Sequence, residues 1–309
     1  MRAAMRHVCT ALCVAVLVLN GLTIQAGSQR PAFRSAVDLV LLNVTVTDAS
    51  GRFVGDLTPD DFQVLEEGRP QTITFFSPAL VPLSVSLLMD TSSSMDDRMP
   101  WAQQAAADFV SRLRPADVAE VVSFDSRVEV LQPFTSDKTL LDAAIRRTKA
   151  GGSTALYNAV YIALRQAGRL RPAATDDIRR HVIVLLSDGE DTSSLVGFDQ
   201  MLDLAKRSQT VIYTIGLGLE ETTATKRSET DFLLRQLSLE TGGRLFTPKR
   251  PEDLLDVYGR IAQELTSQYL LGYLSADTPP TGGWRRITVT VRRPNVQART
   301  RSGYYTSDP

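Results

Sequence analysis

The sequence predicts an α/β fold, a doubly wound and mostly parallel sheet. An antiparallel β-sandwich-like region built from the N- and C-terminal segments flanks it or receives it as an insertion. Three observations carry this expectation. Between residues 83 and 265, apolar strand-like runs alternate with amphipathic helical stretches, the pattern of βαβ units with right-handed crossovers. The central runs, such as 182–186, are apolar throughout, as strands covered by helices on both faces must be. On either side of this region the pattern changes to short alternating strands punctuated by Gly and Pro.

In chain order, the first 26 residues read as a secretory signal. Arg2 and Arg6 are basic, residues 8–24 are mostly apolar, and small residues follow at Ala26, Gly27 and Ser28, so a cut after Ala26 is expected. The alternative is a retained membrane anchor, because the stretch almost reaches the ~18 apolar residues of a spanning helix. The expected location is the periplasm, the cell surface or the medium, with membrane attachment only if the segment stays. Both cysteines, Cys9 and Cys13, fall inside it, and the mature chain keeps a single histidine, His181. That argues against disulfides and against a zinc site of Cys and His. A Ser-His-Asp triad has one candidate base, just ahead of a buried strand. A net charge of −1 provides no basic field for nucleic acid.

Four regions are expected: the signal over 1–26, an N-terminal β region over 27–81, the α/β domain over 82–266, and a C-terminal β region over 267–309 that packs with 37–78. In "VDLVLLNVTVTD", Val40, Leu42, Val44 and Val46 share one face of a strand. Asn43 opens an N-V-T glycosylation sequon within it. "FQVLEEGRPQTITFF" reads as two short strands around the turn at Glu67, Gly68 and Arg69. The α/β strands are "LSVSLLMD", "DVAEVVSFD", "RVEVLQPF", "HVIVLLSD", "TVIYTIGLG" and "GRLFTP". Helices are expected over 98–113, 138–149, 156–170, 199–208, 231–240 and 251–266, the first capped by Asp97 with Pro100 in its first turn. In the third, Leu156, Val160, Ala163, Ala167 and Leu170 form an amphipathic stripe. "DVAEVVSFDSRVEVLQPF" joins two strands by a short turn, so one is an antiparallel edge strand. "QYLLGYL", "RRITVTVRR" and "GYYTS" return to β character. Each flank alone has unpaired edges and half a core, which argues for one composite sandwich.

Ligands of a doubly wound sheet bind beyond the carboxyl ends of its strands. There the sequence places Asp90, Ser92 and Ser94 after the first α/β strand, Thr154 in "GGST" ahead of the third helix, and Asp188 after "HVIVLLS". This is an all-oxygen set of two carboxylates and three hydroxyls, suited to a hard cation such as Mg²⁺ or Mn²⁺, with Ca²⁺ also possible. "GGST" lacks the lysine and spacing of a phosphate-binding loop, so no nucleotide is expected. Glu190 and Asp191 lie at the rim and either tune the site or form a solvated acidic loop.

Asp90-Thr-Ser92-Ser-Ser94 resembles the D-x-S-x-S signature of von Willebrand factor type A (VWA) domains. Thr154 and Asp188 match the remaining elements of that family's metal-ion-dependent adhesion site (MIDAS), and the resemblance covers about residues 82–265. The flanks look like those of bacterial VWFA-related proteins, with "YLLGY … GYY" at the C-terminal end. The resemblance implies that Ser92 and Ser94 bind the metal directly, and Thr154 in the ligand-occupied state. It implies that Asp90 and Asp188 act through water or by holding the hydroxyls. The family pattern often reads Gly-Gly-Thr; here Ser153 intervenes, and Thr154 is preferred because it directly precedes "ALYNAV". The helix N-termini beyond Ser94 and Thr154 are expected to favour a bound anion.

Three functions follow as expectations. The first is an exported, non-enzymatic binding module whose Mg²⁺ or Mn²⁺ accepts an exposed Asp or Glu side chain of a protein partner. The second is a structural envelope scaffold whose metal only rigidifies the loops. The third is a Mg²⁺-dependent phosphohydrolase, but a haloacid-dehalogenase-type site needs an aspartate where Ser92 stands.

Overall fold

The computed structural model of the chain describes residues 39–78, 81–169, 179–188, 190–217, 224–275 and 283–306. The expected signal with Cys9 and Cys13, as well as Leu170, lies outside the described residues.

The elements run β1 (Leu39–Asp48), β2 (Phe62–Glu66), β3 (Arg69–Gln71), β4 (Ile73–Ser77), β5 (Leu83–Asp90), α1 (Met99–Ser111), β6 (Val118–Phe124), β7 (Val128–Thr135), α2 (Lys138–Arg146) and α3 (Leu156–Arg169). They continue with β8 (Arg180–Ser187), α4 (Phe198–Ser208), β9 (Val211–Gly216), α5 (Ala224–Thr241), β10 (Leu245–Phe246), α6 (Leu254–Leu265), β11 (Tyr269–Leu274), β12 (Trp284–Val291), β13 (Val296–Arg299) and β14 (Gly303–Tyr305).

The central sheet has the order β10-β9-β8-β5-β6-β7. All its pairings are parallel except that of β7, which runs antiparallel to β6 along the edge. This is the doubly wound sheet with one reversed edge strand that the sequence predicts. Every residue of β5 is buried. Val85, Leu87 and Met89 face a layer containing Phe109 of α1, Leu141 of α2 and Tyr258 of α6. Leu88 faces the opposite layer with Val160, Met201 and Leu237 of α3, α4 and α5. The period-two alternation of a strand thus feeds two cores at once, which is why its sequence reads as mostly apolar.

Two further sheets of four strands each have the orders β13-β1-β11-β4 and β14-β12-β2-β3. Each mixes strands from before and after the α/β region: β1 pairs with β11 and β13, β4 with β11, and β2 with β12. Their shared core contains Val40, Leu42, Val44, Phe62, Tyr269, Leu271, Ile287 and Tyr304. Phe62 and Tyr269 meet edge to face at 5.3 Å between ring centroids.

The local expectations need two corrections. "FQVLEEGRPQTITFF" holds three strands, not two. β2 and β3 form a hairpin through Glu67 and Gly68, both at positive φ as a tight two-residue turn requires. After Thr72 the chain crosses to the other sheet, where β4 pairs with β11. Asp97 does not cap α1 either. It lies in a 3-10 turn, Ser93–Arg98, and the N-cap position is Arg98, without a side-chain cap bond. The polar cluster after β5 therefore leads into a turn that holds Ser93 and Ser94 near the sheet edge.

The tail also grips the α/β layer. Lys206 of α4 sits 3.8 Å over the Trp284 ring, and the Arg207 guanidinium 3.8 Å over that of Tyr305. Gly242, at φ +85, lets the end of α5 approach the backbone of Arg301, where an added Cβ would meet its nitrogen at 2.7 Å.

Candidate metal centre

Strand β5 lies between β8 and β6, and Met89 is paired with Leu186, so Asp90 and Ser187 end side by side. This is the point where the strand order reverses, the usual ligand crevice of such sheets. Three loops leave it, and backbone hydrogen bonds lace them together. Ser93 N donates to Gly152 O at 3.1 Å and Gly151 N to Thr91 O at 2.8 Å. Thr192 N and Ser193 N donate to Thr154 O at 2.8 and 3.1 Å. Gly152 has φ +83, which allows the loop its sharp turn over Asp125.

Within this frame Asp90 is fully buried. Its Oδ1 accepts from Ser92 N at 2.8 Å, and its Oδ2 accepts from Ser187 Oγ at 2.5 Å. The Ser92 and Ser94 hydroxyl oxygens lie 3.0 Å apart, and Ser94 Oγ donates to Asp188 Oδ1 at 2.7 Å. Asp188 Oδ2 accepts from Arg98 Nη1 at 3.0 Å, an ion pair that the sequence did not disclose. Burial pushes Asp90 up to about 6, against the pull of its bonds from Ser187 and Ser92. Asp188 also rises, again from burial, with the Ser94 bond and the Arg98 charge opposing. At both carboxylates desolvation outweighs the hydrogen bonds, and at Asp188 the Arg98 charge as well.

Thr154 is buried and Ser153 exposed, and Thr154 N donates to Thr192 Oγ1 at 3.0 Å. That supports Thr154 as the inward residue of the pair. Asp191 is placed differently from a free rim acid. Its Oδ1 accepts from Tyr157 N at 3.1 Å and from Ser194 Oγ at 2.5 Å, while Ser194 Oγ accepts from Asn158 N at 2.9 Å. These bonds cap α3, so its N-terminal N–H groups are spent internally and not held out for an anion, contrary to the expectation from sequence. Glu190 and Asp191 line a cleft of about 300 Å³ with Tyr157, Phe198 and Leu234.

The donor set fits a hard divalent cation. Two neutral hydroxyls stand at hydrogen-bonding distance from each other beside a carboxylate oxygen, with a second carboxylate fixing the loop behind them. Ser92 and Ser94 are the hydroxyls in position to hold such an ion, with Thr154 on the adjoining loop. Asp90 has both oxygens committed to the protein and acts as a holder. Asp188 offers Oδ1 toward the hydroxyls while Arg98 retains Oδ2.

Residues 85–190 match the family model described as von Willebrand factor type A domain. A UPF0353 protein of Mycolicibacterium paratuberculosis is 27% identical over 229 residues, covering 66% of this chain and 66% of that protein. The chain thus spans just under two thirds of that relative's length. Among solved structures, a von Willebrand factor type A protein from Catenulispora acidiphila aligns with a TM-score of 0.50 at 14% identity, over 89% of this chain and 76% of that one. Proximal thread matrix protein 1 from the mussel byssus, with zinc in its MIDAS motif, aligns with a TM-score of 0.50 at 15% identity, over 60% of this chain and 48% of that one. The sheet order and the sequence match agree: residues 85–190 resemble a von Willebrand factor type A domain, and the α/β layer has a VWA-like fold.

Proposed function

We propose that the chain is an exported, metal-dependent protein-binding module. Ser92, Ser94 and Thr154 hold a divalent cation, Mg²⁺ or Mn²⁺, that receives a carboxylate from an Asp or Glu of a partner. The observation that carries this reading is the run of oxygens Ser92 Oγ, Ser94 Oγ and Asp188 Oδ1, spaced by 3.0 and 2.7 Å. A cation bound by hydroxyls more than by carboxylates stays electron-poor and supplies Lewis acidity for one more anionic ligand. Asp90 and Ser187 keep the loop in place, and Arg98 keeps Asp188 turned toward the serines. A binding role is proposed over catalysis because, among the described residues, no thiol, imidazole or free acid pair stands beside the two aspartates. The mussel protein's zinc-occupied MIDAS supports metal binding by this architecture, and the basic-apolar N-terminus supports export.

The test is calorimetric titration of the metal-stripped chain with Mg²⁺ and Mn²⁺, beside a Ser92→Ala/Ser94→Ala variant. Saturable binding that disappears in the variant is expected. Wild type that takes up neither ion sinks the proposal and leaves a scaffold reading in its place. Metal binding with no metal-dependent capture of acidic peptides also points to the scaffold.

A further inference from the structure

A second cleft, of about 220 Å³, opens at the opposite end of the central sheet, where the α/β layer meets the sandwich. Its walls include Asn43 of β1, Arg179, Arg180 at the start of β8, Leu270 of β11, Thr300 and Arg301. No aspartate or glutamate is among the described residues that line it.

Arg301 is more than nine-tenths buried. Its Nη2 donates to Leu41 O at 3.1 Å, while Nε and Nη1 are buried without a partner. Arg180 is equally buried; its Nη1 donates to Gln268 Oε1 at 2.6 Å and its Nη2 to Leu265 O at 2.7 Å, and its Nε has no partner. The Thr300 hydroxyl and the Asn43 amide oxygen are buried without partners in the same region. Two buried acids stand nearby, and both are committed elsewhere: Glu264 to Arg299, Tyr213 and Thr45, and Asp117, whose charge reaches Arg180, to Leu83 N and Arg114. Burial pulls Arg301 down to about 10, with no carboxylate to offset it. An arginine buried without a counter-charge is costly, and single unpaired donors are rare enough that several around one cleft call for an occupant.

We propose that this cleft binds a small oxyanion, a phosphate or carboxylate group, through Arg301 Nε and Nη1 and Arg180 Nε. Thr300 Oγ1 adds a hydroxyl donor. Rotating the Asn43 amide presents its N–H₂ in place of the oxygen, an assignment set only by its partners. Two guanidiniums from different layers and a strand amide supply the fork-shaped donor geometry that oxyanions take. Leu270 leaves one wall apolar. The ligand would tie β1, β8 and the β13–β14 connection together. The same placement turns Asn43 inward, which does not suit its sequon for carrying a glycan. This site is independent of the metal centre.

The test is equilibrium dialysis of the full chain against labelled inorganic phosphate and, separately, labelled acetate at constant ionic strength, with Arg301→Met and Arg180→Gln alongside. One saturable anion per chain is expected, weakened about tenfold or more in each variant. Phosphate binding without acetate binding assigns the site to phosphates, and the reverse to carboxylates; each supports the proposal. Water alone as occupant predicts saturable binding of neither anion, and that result overturns it. So does equal binding by wild type and both variants. Should Arg301→Met lose its fold by circular dichroism, Arg180→Gln decides.

Discussion

Strand β8 has opposite electrostatics at its two ends. It starts with the buried Arg180 and runs into Asp188, roughly 26 Å apart at the rise of an extended strand. At the Asp188 end the charges are shared out. Asp90 has two hydrogen-bonded oxygens, Asp188 has Ser94 and Arg98, and hydroxyls fill the space between. At the Arg180 end, two buried guanidiniums have only neutral acceptors. The contrast teaches that burial alone does not mark a binding site; the balance of donors against acceptors does. Clustered acceptor oxygens in excess of cations point to a metal, and N–H groups without acceptors point to an anion.

The largest way to break this contrast is to create a new imbalance next to the cleft. Glu264 is buried and bonds Arg299, Tyr213 and Thr45, joining α6, β13, β9 and β1. Glu264→Ala strands Arg299 and is expected to cost about 3–5 kcal/mol in urea unfolding. A loss below about 1 kcal/mol would mean that the half-buried Arg299 is adequately solvated without its carboxylate.

Glu120 sharpens the comparison from the middle of the sheet. It is buried on β6, and its Oε1 accepts from Ser86 Oγ at 2.5 Å. Burial pushes it up from an ordinary 4.5 to about 7, with the Ser86 bond opposing. Between those values the folded state binds more protons than the unfolded, so stability falls as pH rises from about 4.5 to 7. The accumulated loss is up to about 3 kcal/mol, and the contribution is flat above that range. Denaturation midpoints across pH should show the slope in wild type and a shallower one in Glu120→Gln, where the raised Asp90 and Asp188 still contribute.

Much of the candidate metal centre was legible because its elements are local. Asp90, Ser92 and Ser94 follow one apolar strand, and Thr154 and Asp188 each sit at the end of a recognisable loop or strand. Burial then distinguished Thr154 from Ser153. Arg98 was not legible as a partner of Asp188, since one helical turn after Ser94 it reads as an ordinary surface arginine and the pairing spans 90 residues. The alternation of α/β strands disclosed the central sheet, and the unpaired edges of the flanks disclosed the composite sandwich. The split at Thr72 was not legible, because β3 and β4 are continuous in pattern while belonging to different sheets. The arginine cleft was invisible for a stronger reason. Its donors come from residues 43, 180, 300 and 301, and what makes them unusual is the absence of acceptors, which only the folded chain can reveal.

The cleft yields the next prediction. If Arg301 is costly without an anion, replacing it by an apolar chain of similar length relieves that cost. Arg301→Met should raise stability by about 1–2 kcal/mol in phosphate-free buffer, despite losing the bond to Leu41 O. The advantage should shrink as phosphate is added, because a ligand stabilises only the form that binds it. A destabilised variant in both buffers would show that the protein alone already satisfies this charge.

The smallest effect tests the other end. Arg98 puts a positive charge on the far oxygen of Asp188, beside the position proposed for the cation. If its role is chiefly electrostatic, Arg98→Met removes a competing charge, and Mg²⁺ should bind about threefold to tenfold tighter, with the gain shrinking in high salt. If Arg98 mainly fixes the Asp188 rotamer, the same variant binds more weakly and salt matters little. Calorimetry at two ionic strengths separates the outcomes. The first would make this arginine a brake on metal loading, the counterpart of the arginines at the far end of β8 that wait for an anion.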